Sequence, residues 1–193
     1  MEKLKKVVDK EIAYQVSNID IMRAFQKSGY KITIKIYSQL ENVNNLIQLL
    51  PKTKSACFIL LQTSDKSGHW IVIIRNNKTI TYWDSYGIKA DGELSNIPQD
   101  ERYELDEENP LLQPLISSLS SDYNYIYNSI KFQDYGSVRG SPVNTCGRWC
   151  ITVTKMILLG MSLLEFQNNL KNIKKSTKLT FDQIISLISD QWI

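Results

Sequence analysis

Histidine, cysteine and long apolar runs are scarce in this sequence, and each scarcity excludes a class of protein. The chain of 193 residues has one histidine and three cysteines. No apolar run approaches the roughly 18 residues that span a bilayer, and the charged start "MEKLKKVVDKEIAYQ" lacks the apolar segment of a signal peptide. We therefore expect a soluble intracellular protein with no membrane partner.

The cysteines Cys57, Cys146 and Cys150 are odd in number. Without a secretory signal they are expected to be reduced thiols, not a disulfide framework. Cys146 and Cys150 would share one face of a helix, as two zinc ligands would. A structural zinc site needs four ligands, commonly in two close pairs, and the chain has no C-x-x-C. The sequence therefore predicts no metal site.

The composition is that of a globular protein, with 42% apolar and 22% charged residues. A net charge of +3 is too small to indicate nucleic-acid binding by itself. No repeat or low-complexity linker divides the chain, so we predict one domain over residues 1–193. Its predicted regions are a helical and strand region 1–55, a sheet 56–90, an acidic connection 91–122, a strand and helix 123–160, and C-terminal helices 161–193.

Apolar periodicity predicts helices at both ends of the chain and strands in its centre. The predicted helices are "IDIMRAFQKSG", "YSQLENVNNLIQLLP", "PLLQPLISSLSS", "WCITVTKMILLGMSLLEF" and "TFDQIISLISDQWI". The predicted strands are "YKITIKIY", "ACFILLQT", "HWIVIIR", "TITYWD" and "YIYNSIKFQ". This order indicates an α+β fold whose mixed, mainly antiparallel central sheet is flanked by helices.

The segment "HWIVIIRNNKTITYWD" predicts a hairpin that pairs the single histidine with an aspartate. If Asn76 and Asn77 form a two-residue type I′ turn, Arg75 faces Lys78. Counting outwards then places His69 opposite Asp84, with Cβ atoms about 5 Å apart. A carboxylate that accepts a proton from one imidazole nitrogen fixes the tautomer and leaves the other nitrogen free as a base.

The same face would carry Ile71, Ile73, Ile80 and Tyr82, an apolar floor that raises the cost of leaving the pair unsatisfied. The alternative is that His69 is an ordinary residue at a strand end and that Asp84 only begins the turn "DSYG", where aspartate is common.

Cys146 lies where the polar segment "VNT" meets a long apolar run. The following Gly147 suits a tight entry into a helix, which would place the sulfur at a helix N-terminus. The helix dipole and free N–H groups there stabilise a thiolate and can hold an oxyanion. The alternative is a small buried apolar residue, which is the better explanation for Cys57 and Cys150.

Together, "SGHW", "WDSYG", a later glutamine and "NTCGRWC" resemble the papain-like cysteine proteases of the adenain and SUMO-protease type. The layout is most similar to capsid-maturation proteases of large DNA viruses, virophages and virus-like DNA transposons. The order His, Asp, Gln, Cys is its most specific element. The resemblance implies an adenain-like fold with His69 as base, Asp84 as its orienter, Gln133 as oxyanion donor and Cys146 as nucleophile.

Gln133 is farther from the cysteine than the family's glutamine usually is, since it lies 13 residues before Cys146. We choose Gln133 because it ends the predicted strand "SIKFQ", and a lengthened loop is thermodynamically cheap. Arg139 is the alternative oxyanion donor. Trp70 is a core residue by default, whereas in relatives the tryptophan after the histidine flanks a narrow channel for a Gly-Gly tail.

The resemblance implies a viral endopeptidase that cleaves capsid precursors after small residues, in the host cytoplasm and the virion, as a monomer without a cofactor. Relatives with the same residues remove ubiquitin-like proteins or transfer acetyl groups, and a non-enzymatic capsid-associated binding protein is a further alternative. The basic segment "KNIKKSTK" is a candidate for weak electrostatic binding to DNA, and an activating peptide is another possible partner.

Overall fold

The computed structural model describes residues 2–64, 67–138 and 141–193. Its α-helices are α1 (Glu2–Ala13), α2 (Asn18–Phe25), α3 (Leu46–Leu49), α4 (Gln99–Glu104), α5 (Leu112–Ser117), α6 (Cys146–Leu158), α7 (Leu163–Thr177) and α8 (Phe181–Ser189). Its strands are β1 (Lys31–Ile36), β2 (Lys54–Ser64), β3 (Ser67–Asn76), β4 (Thr79–Trp83), β5 (Asn124–Tyr127), β6 (Ser137–Val138) and β7 (Ser141–Pro142). Short segments of 3₁₀ helix span Tyr37–Asn42, Gly92–Asn96 and Asp190–Trp192.

The first five strands form one sheet in the order β1-β2-β3-β4-β5. The two central ladders are antiparallel, and the two outer ladders, β1 with β2 and β4 with β5, are parallel. The predicted α+β class with a mixed sheet between helices is therefore confirmed. Strands β6 and β7 pair separately as a short ribbon ahead of α6.

Each face of the sheet covers a separate hydrophobic core. Helix α6 packs across β3 on the face that carries Trp70, Val72 and Ile74. The opposite face carries Ile71 and Ile73 and is covered by residues of α3 and α5. Because successive side chains of a strand point to opposite faces, His69 belongs to the second face although its neighbour Trp70 belongs to the first.

The predicted hairpin is present, but its predicted register is wrong. The loop is Asn77–Lys78, and Asn76 pairs with Thr79 inside the ladder. Asn77 has φ of +57°, whereas Lys78 is not among the described residues with positive φ, which fits a type II′ turn better than type I′. The side chain of Asn76 explains the shift, because its Nδ2 donates to the carbonyl of Ile157 at 2.8 Å and holds this residue in the strand.

Two predicted helices are interrupted. The segment after Cys146 forms α6 and α7, separated at Gly160, whose φ of +110° is not helical. The segment before Pro51 forms a 3₁₀ turn and then α3, because the side chain of Asn45 accepts the N–H of Ile47 and begins a new helix. A glycine with positive φ and a side-chain cap therefore set helix boundaries that apolar periodicity does not indicate.

The basic segment "KNIKKSTK" covers the last turns of α7 and its C-cap residue Lys178, which has the left-handed conformation. Lysine near a helix C-terminus interacts favourably with the helix dipole. None of the described helices is long and apolar enough to cross a membrane.

Candidate active site

The imidazole of His69 and the carboxylate of Asp84 are in direct contact, with 2.9 Å between Nε2 and Oδ1. Both side chains are buried, with relative exposures of 7% and 0%. The contact predicted from the sequence is thus present in spite of the wrong register. In the true register each residue of β3 pairs with the β4 residue two positions further along the chain than predicted. Because this shift is even, both residues stay on the same face of the sheet.

Asp84 reaches His69 because β4 ends at Trp83 and the chain turns there. The N–H of Gly87 donates to the carbonyl of Asp84 at 3.0 Å, and the N–H of Tyr86 donates to Asp84 Oδ1 at 2.8 Å. Gly87 has φ of +75°, and a side chain there would collide with the backbone of Ile130. The aspartate therefore fills both roles weighed from the sequence, since it begins the turn "DSYG" and also contacts the histidine.

The backbone of this turn is fixed from outside. Asn128 follows β5 and is fully buried. Its Nδ2 donates to the carbonyls of Asp84 and Ile130 at 2.6 and 2.8 Å, and its Oδ1 accepts from Gln167 in α7 at 2.9 Å. Asn128 thus connects the turn to the end of β5 and to a helix, which holds the carboxylate of Asp84 in place.

Cys146 is the first residue of α6, at the helix N-terminus where the sequence predicts it. Burial raises the pKa of its thiol, but the net effect is a lowered pKa, because the hydrogen bond from His69, the charge of the imidazolium and the backbone N–H groups of Trp70 and Gly147 favour the thiolate. This is the electrostatic environment of a reactive cysteine.

The His69 side chain shows the matching shift. Burial lowers its pKa, yet the hydrogen bonds with Asp84 and Cys146 and their charges raise it overall to about 10. Since Nε2 is bonded to Asp84, the hydrogen bond with the sulfur involves Nδ1. At neutral pH these directions favour an imidazolium–thiolate pair.

Gln133 lies against the turn that follows Asp84 but does not end a strand, so that part of the prediction is wrong. Strand β5 ends at Tyr127, and Gln133 is held by its N–H, which donates to the carbonyl of Ser85 at 3.0 Å. Its Oε1 accepts from Ser85 Oγ at 2.7 Å, and its Nε2 donates to Tyr86 Oη at 3.1 Å and to the carbonyl of Val143 at 3.4 Å. The alternative donor, Arg139, lies outside the described residues.

Trp70 is buried on the α6 side, and its Nε1 donates to the carbonyl of Val16 at 2.9 Å. It lines one end of a cleft of about 440 Å³ that residues 15–18, β1 and Gly68 also border. A Cβ on Gly147 would come within 3.2 Å of the indole and 2.5 Å of Val16. The glycine after the cysteine therefore allows the tryptophan and the segment before α2 to approach the helix closely.

An aromatic stack that the sequence did not reveal covers the histidine. The ring of Tyr86 stacks on His69 with 4.6 Å between centroids, and Tyr135 stacks on the other face of Tyr86 at 4.2 Å. Lys131 lies over Tyr135, with Nζ 4.1 Å from the ring centroid. The motif "DSYG" indicates a turn, but no pattern in the sequence indicates that its tyrosine shields the imidazole.

Glu93 is a second buried acid that sequence reasoning missed. It lies in the acidic connection, and one potential ligand atom each from Glu93, His69 and Asp84 lie within 4.8 Å of one another. This is the one such group found among the described residues. The ring nitrogen that faces Asp84 is already hydrogen-bonded at 2.9 Å, so these atoms are arranged as a hydrogen-bonded chain, and we assign no ion to them.

Cys57 and Cys150 are both fully buried. Burial raises the pKa of Cys57 to about 12 and that of Cys150 well above its usual value. The Sγ of Cys150 contacts the carbonyl oxygen of Trp70 at 3.3 Å. Neither thiol has the environment of a nucleophile, which is consistent with the prediction that both are core residues.

The sequence matches no protein-family model and no curated protein. Among solved structures, the chain is similar to the ASFV pS273R protease, with a TM-score of 0.52 and 11% identity over 92% of this chain and 67% of that chain. The fold is that of a cysteine protease of this type. At this identity the likeness shows the fold alone.

Two further structures overlap less well. The C-terminal protease domain of Ulp1, solved in complex with the yeast SUMO ortholog Smt3, has a TM-score of 0.38 and 16% identity over 84% of this chain and 86% of that chain. The Chlamydia trachomatis effector ChlaDUB1 has a TM-score of 0.39 and 14% identity over 86% and 81% of the two chains.

Proposed function

We propose that this protein is a cysteine endopeptidase with Cys146 as nucleophile, His69 as acid and base, Asp84 as the orienter of the imidazole and Gln133 as an oxyanion donor. The observation that carries the proposal is the His69 imidazole bound between a buried carboxylate and a cysteine at a helix N-terminus. The opposite pKa shifts of the thiol and the imidazole support it.

In the proposed reaction the thiolate of Cys146 attacks a peptide carbonyl, and a carbon–sulfur bond forms while the carbonyl oxygen becomes an oxyanion. The N–H of Cys146 and the amide of Gln133 stabilise that oxyanion. The imidazolium of His69 then protonates the amine as the carbon–nitrogen bond breaks. Water, deprotonated by His69, attacks the thioester and the carbon–sulfur bond breaks. The carboxylic acid product loses its proton to solvent, and the thiolate–imidazolium pair is restored.

For the substrate we propose polypeptides cut after small residues, of the Gly-Gly kind, with capsid precursors of a virus as the natural target in the host cytoplasm and the virion. The cleft of about 440 Å³ is bordered by Gly68 and Trp70, the two chain neighbours of His69, and this supports an extended, slender substrate tail. The resemblance of "GHW", "DSYG" and "TCGRWC" to capsid-maturation proteases supports the viral role. We further propose that the protein is a monomer.

The test is a side-by-side assay of the purified protein on a fluorogenic Gly-Gly peptide, a ubiquitin-like fusion, and acetyl-CoA with an acceptor protein. We expect peptide cleavage that Cys146→Ala abolishes. The matched control is Cys150→Ser, a second cysteine of the same helix, which should keep substantial activity if it folds. Selective turnover of the ubiquitin-like fusion or of acetyl-CoA would replace the proposed function with the corresponding alternative, and no turnover with any probe would favour a binding role.

Nucleic-acid binding by the C-terminal lysines of α7 is proposed as a weak accessory property. Lys171, Lys174 and Lys175 are all exposed, and the Nζ of Lys174 lies 4.1 Å from the ring centroid of Phe181. Fluorescence anisotropy should show DNA binding that falls steeply as salt rises. No binding at low salt would remove this part of the proposal.

A further inference from the structure

Two buried carboxyl groups lie next to each other beside His69, and one oxygen of each receives no hydrogen bond from a donor among the described residues. These atoms are Oδ2 of Asp84 and Oε1 of Glu93. Asp84 is fully buried, and Glu93 is 8% exposed. A buried carboxylate oxygen without a partner is strongly disfavoured, so an unpaired oxygen on each of two neighbouring acids requires a common explanation.

The other oxygen of each acid is already satisfied by donors. Asp84 Oδ1 accepts from His69 Nε2 at 2.9 Å and from the N–H of Tyr86 at 2.8 Å. Glu93 Oε2 accepts from Asn96 Nδ2 at 3.1 Å. One proton between Asp84 Oδ2 and Glu93 Oε1 would satisfy both acids at once, since a protonated carboxyl donates one hydrogen bond and a carboxylate accepts it.

The proton belongs to Glu93. Burial raises the pKa of Glu93, the neighbouring charge of Asp84 raises it further, and the lowering effects of His69 and Asn96 do not compensate. Asp84 lies beside the imidazolium, where a negative charge is most useful. The phenols of Tyr82, Tyr86 and Tyr135 also sense the charge of Glu93, and their pKa values are all raised, so they stay neutral.

We propose that Glu93 is a positioning residue of the active site, held in its protonated form, whose carboxyl O–H donates to Asp84 Oδ2. This bond fixes the rotation of the Asp84 carboxylate so that Oδ1 stays aimed at His69. The chain Glu93–Asp84–His69–Cys146 is then completely hydrogen-bonded. The inference rests on the proposed function for its catalytic consequence, but its structural content is independent of any substrate.

The first experiment detects the proton directly by infrared spectroscopy of the full chain. Glu107 is another buried acid, with a pKa raised to about 7, so the measurement uses the Glu107→Gln background. A band from a protonated carboxyl should be present at neutral pH, should move on ¹³C labelling of glutamate, and should vanish when Glu93→Gln is added. Absence of a band that depends on Glu93 would overturn the proposal.

The second experiment measures the consequence with a conservative and a disruptive variant. Glu93→Gln keeps a neutral N–H donor toward Asp84 Oδ2, whereas Glu93→Met fills similar space without a donor. Glu93→Met should lower kcat on the Gly-Gly peptide about tenfold or more with little change in KM, and Glu93→Gln should recover most of that loss. Glu107→Met is the matched control for removing a buried acid, and it should not reproduce the fall in kcat.

Alkylation of Cys146 by iodoacetamide across a pH series gives a readout that needs no substrate. Glu93→Met should move the rise in alkylation to higher pH, because a loosened Asp84 holds the imidazolium less firmly and the thiolate loses its partner. Unchanged alkylation and kcat in Glu93→Met, or equal damage in Glu93→Gln, would overturn the inference. If the protein cleaves no peptide while the band and the alkylation shift are present, the proposed function fails and the inference stands.

Discussion

The substitution Asp84→Asn tests how the buried carboxylate serves the histidine. The pKa of His69 is lowered by burial but rises overall from 6.5 to about 10 through Asp84 and Cys146. Such a rise corresponds to about 5 kcal/mol in favour of the imidazolium, at about 1.4 kcal/mol for each pKa unit. If Asp84 supplies about half of this free energy, a neutral amide would stabilise the imidazolium by about 2–3 kcal/mol less, and turnover should fall by about 10²-fold.

The orientation of the new amide decides whether the loss is larger. An amide that turns its NH₂ group toward His69 would impose the wrong tautomer, a loss of about 10⁴-fold in serine proteases. Here the N–H of Tyr86 donates to Asp84 Oδ1 at 2.8 Å, and it would repel an NH₂ group in that position. The amide oxygen should therefore stay toward His69 while its NH₂ group faces Glu93.

The assay is steady-state hydrolysis of the Gly-Gly peptide by Asp84→Asn, His69→Ala and the double variant, each with its folding confirmed by circular dichroism. We expect kcat to carry the loss, and the double variant to be little worse than His69→Ala, because the two side chains act as a unit. A fall of less than about fivefold for Asp84→Asn, or multiplicative losses in the double variant, would refute the role assigned to the carboxylate.

Three further outcomes are expected. In the pH profile of kcat/KM, the acidic limb should rise at a lower pH than for an ordinary thiol, because the pKa of Cys146 is lowered. The profile should fall near pH 10 as His69 loses its proton, and a profile that still rises at pH 10 would contradict the ion pair. Gln133→Ala should reduce kcat about 10²-fold or more. Tyr86→Phe removes only one acceptor of the Gln133 amide and should reduce kcat less than about tenfold. The reverse order would indicate that Tyr86 is the oxyanion donor. Burial raises the pKa of Glu107 from 4.5 to about 7, so the folded protein should lose stability as pH rises through this range. The melting temperature of Glu107→Gln should lack this contribution to the fall with pH.

The contact between His69 and Asp84 could be predicted from the sequence because it depends on which face of the sheet each side chain occupies, and not on the exact pairing of residues between the strands. Strand periodicity fixes which residues share a face, and the even error in the register left that unchanged. The exact loop could not be predicted, since the side chain of Asn76 bonds a carbonyl at the end of α6, 81 residues away in the chain. The start of α6 at Cys146 was predictable because its signals are local.

Glu93 and the conformation around Gln133 could not be predicted for the same physical reason. Glu93 lies in a 3₁₀ turn without apolar periodicity, and only tertiary packing brings it to Asp84. The strand before Gln133 stops because the side chain of Asn128 donates to the carbonyl of Asp84 and accepts the N–H of Ile130. These bonds compete with further strand pairing. Such side-chain to backbone competition leaves no periodic trace in a sequence.

The contact between Cys146 and His69 joins residues from opposite faces of the sheet, and this makes the position of α6 decisive. Cys146 packs with the first core, whereas His69 projects from the face of the second, so they can meet only at the end of the sheet, beyond the last residue of β4. A shift of α6 by one turn would move the sulfur about 5 Å and break the pair.

Contacts at both ends of α6 resist such a shift. Near its start, Arg148 is buried, forms an ion pair with Glu11 of α1 and donates to Ser189 at 2.9 Å. At its end, Asn76 Nδ2 and Lys54 Nζ donate to the last carbonyls of the helix at 2.8 and 3.1 Å. Because β2 and β3 supply these two donors, the sheet that carries His69 also fixes the helix that carries Cys146. The distance between Cys146 and His69 is thus set by contacts between this sheet and this helix.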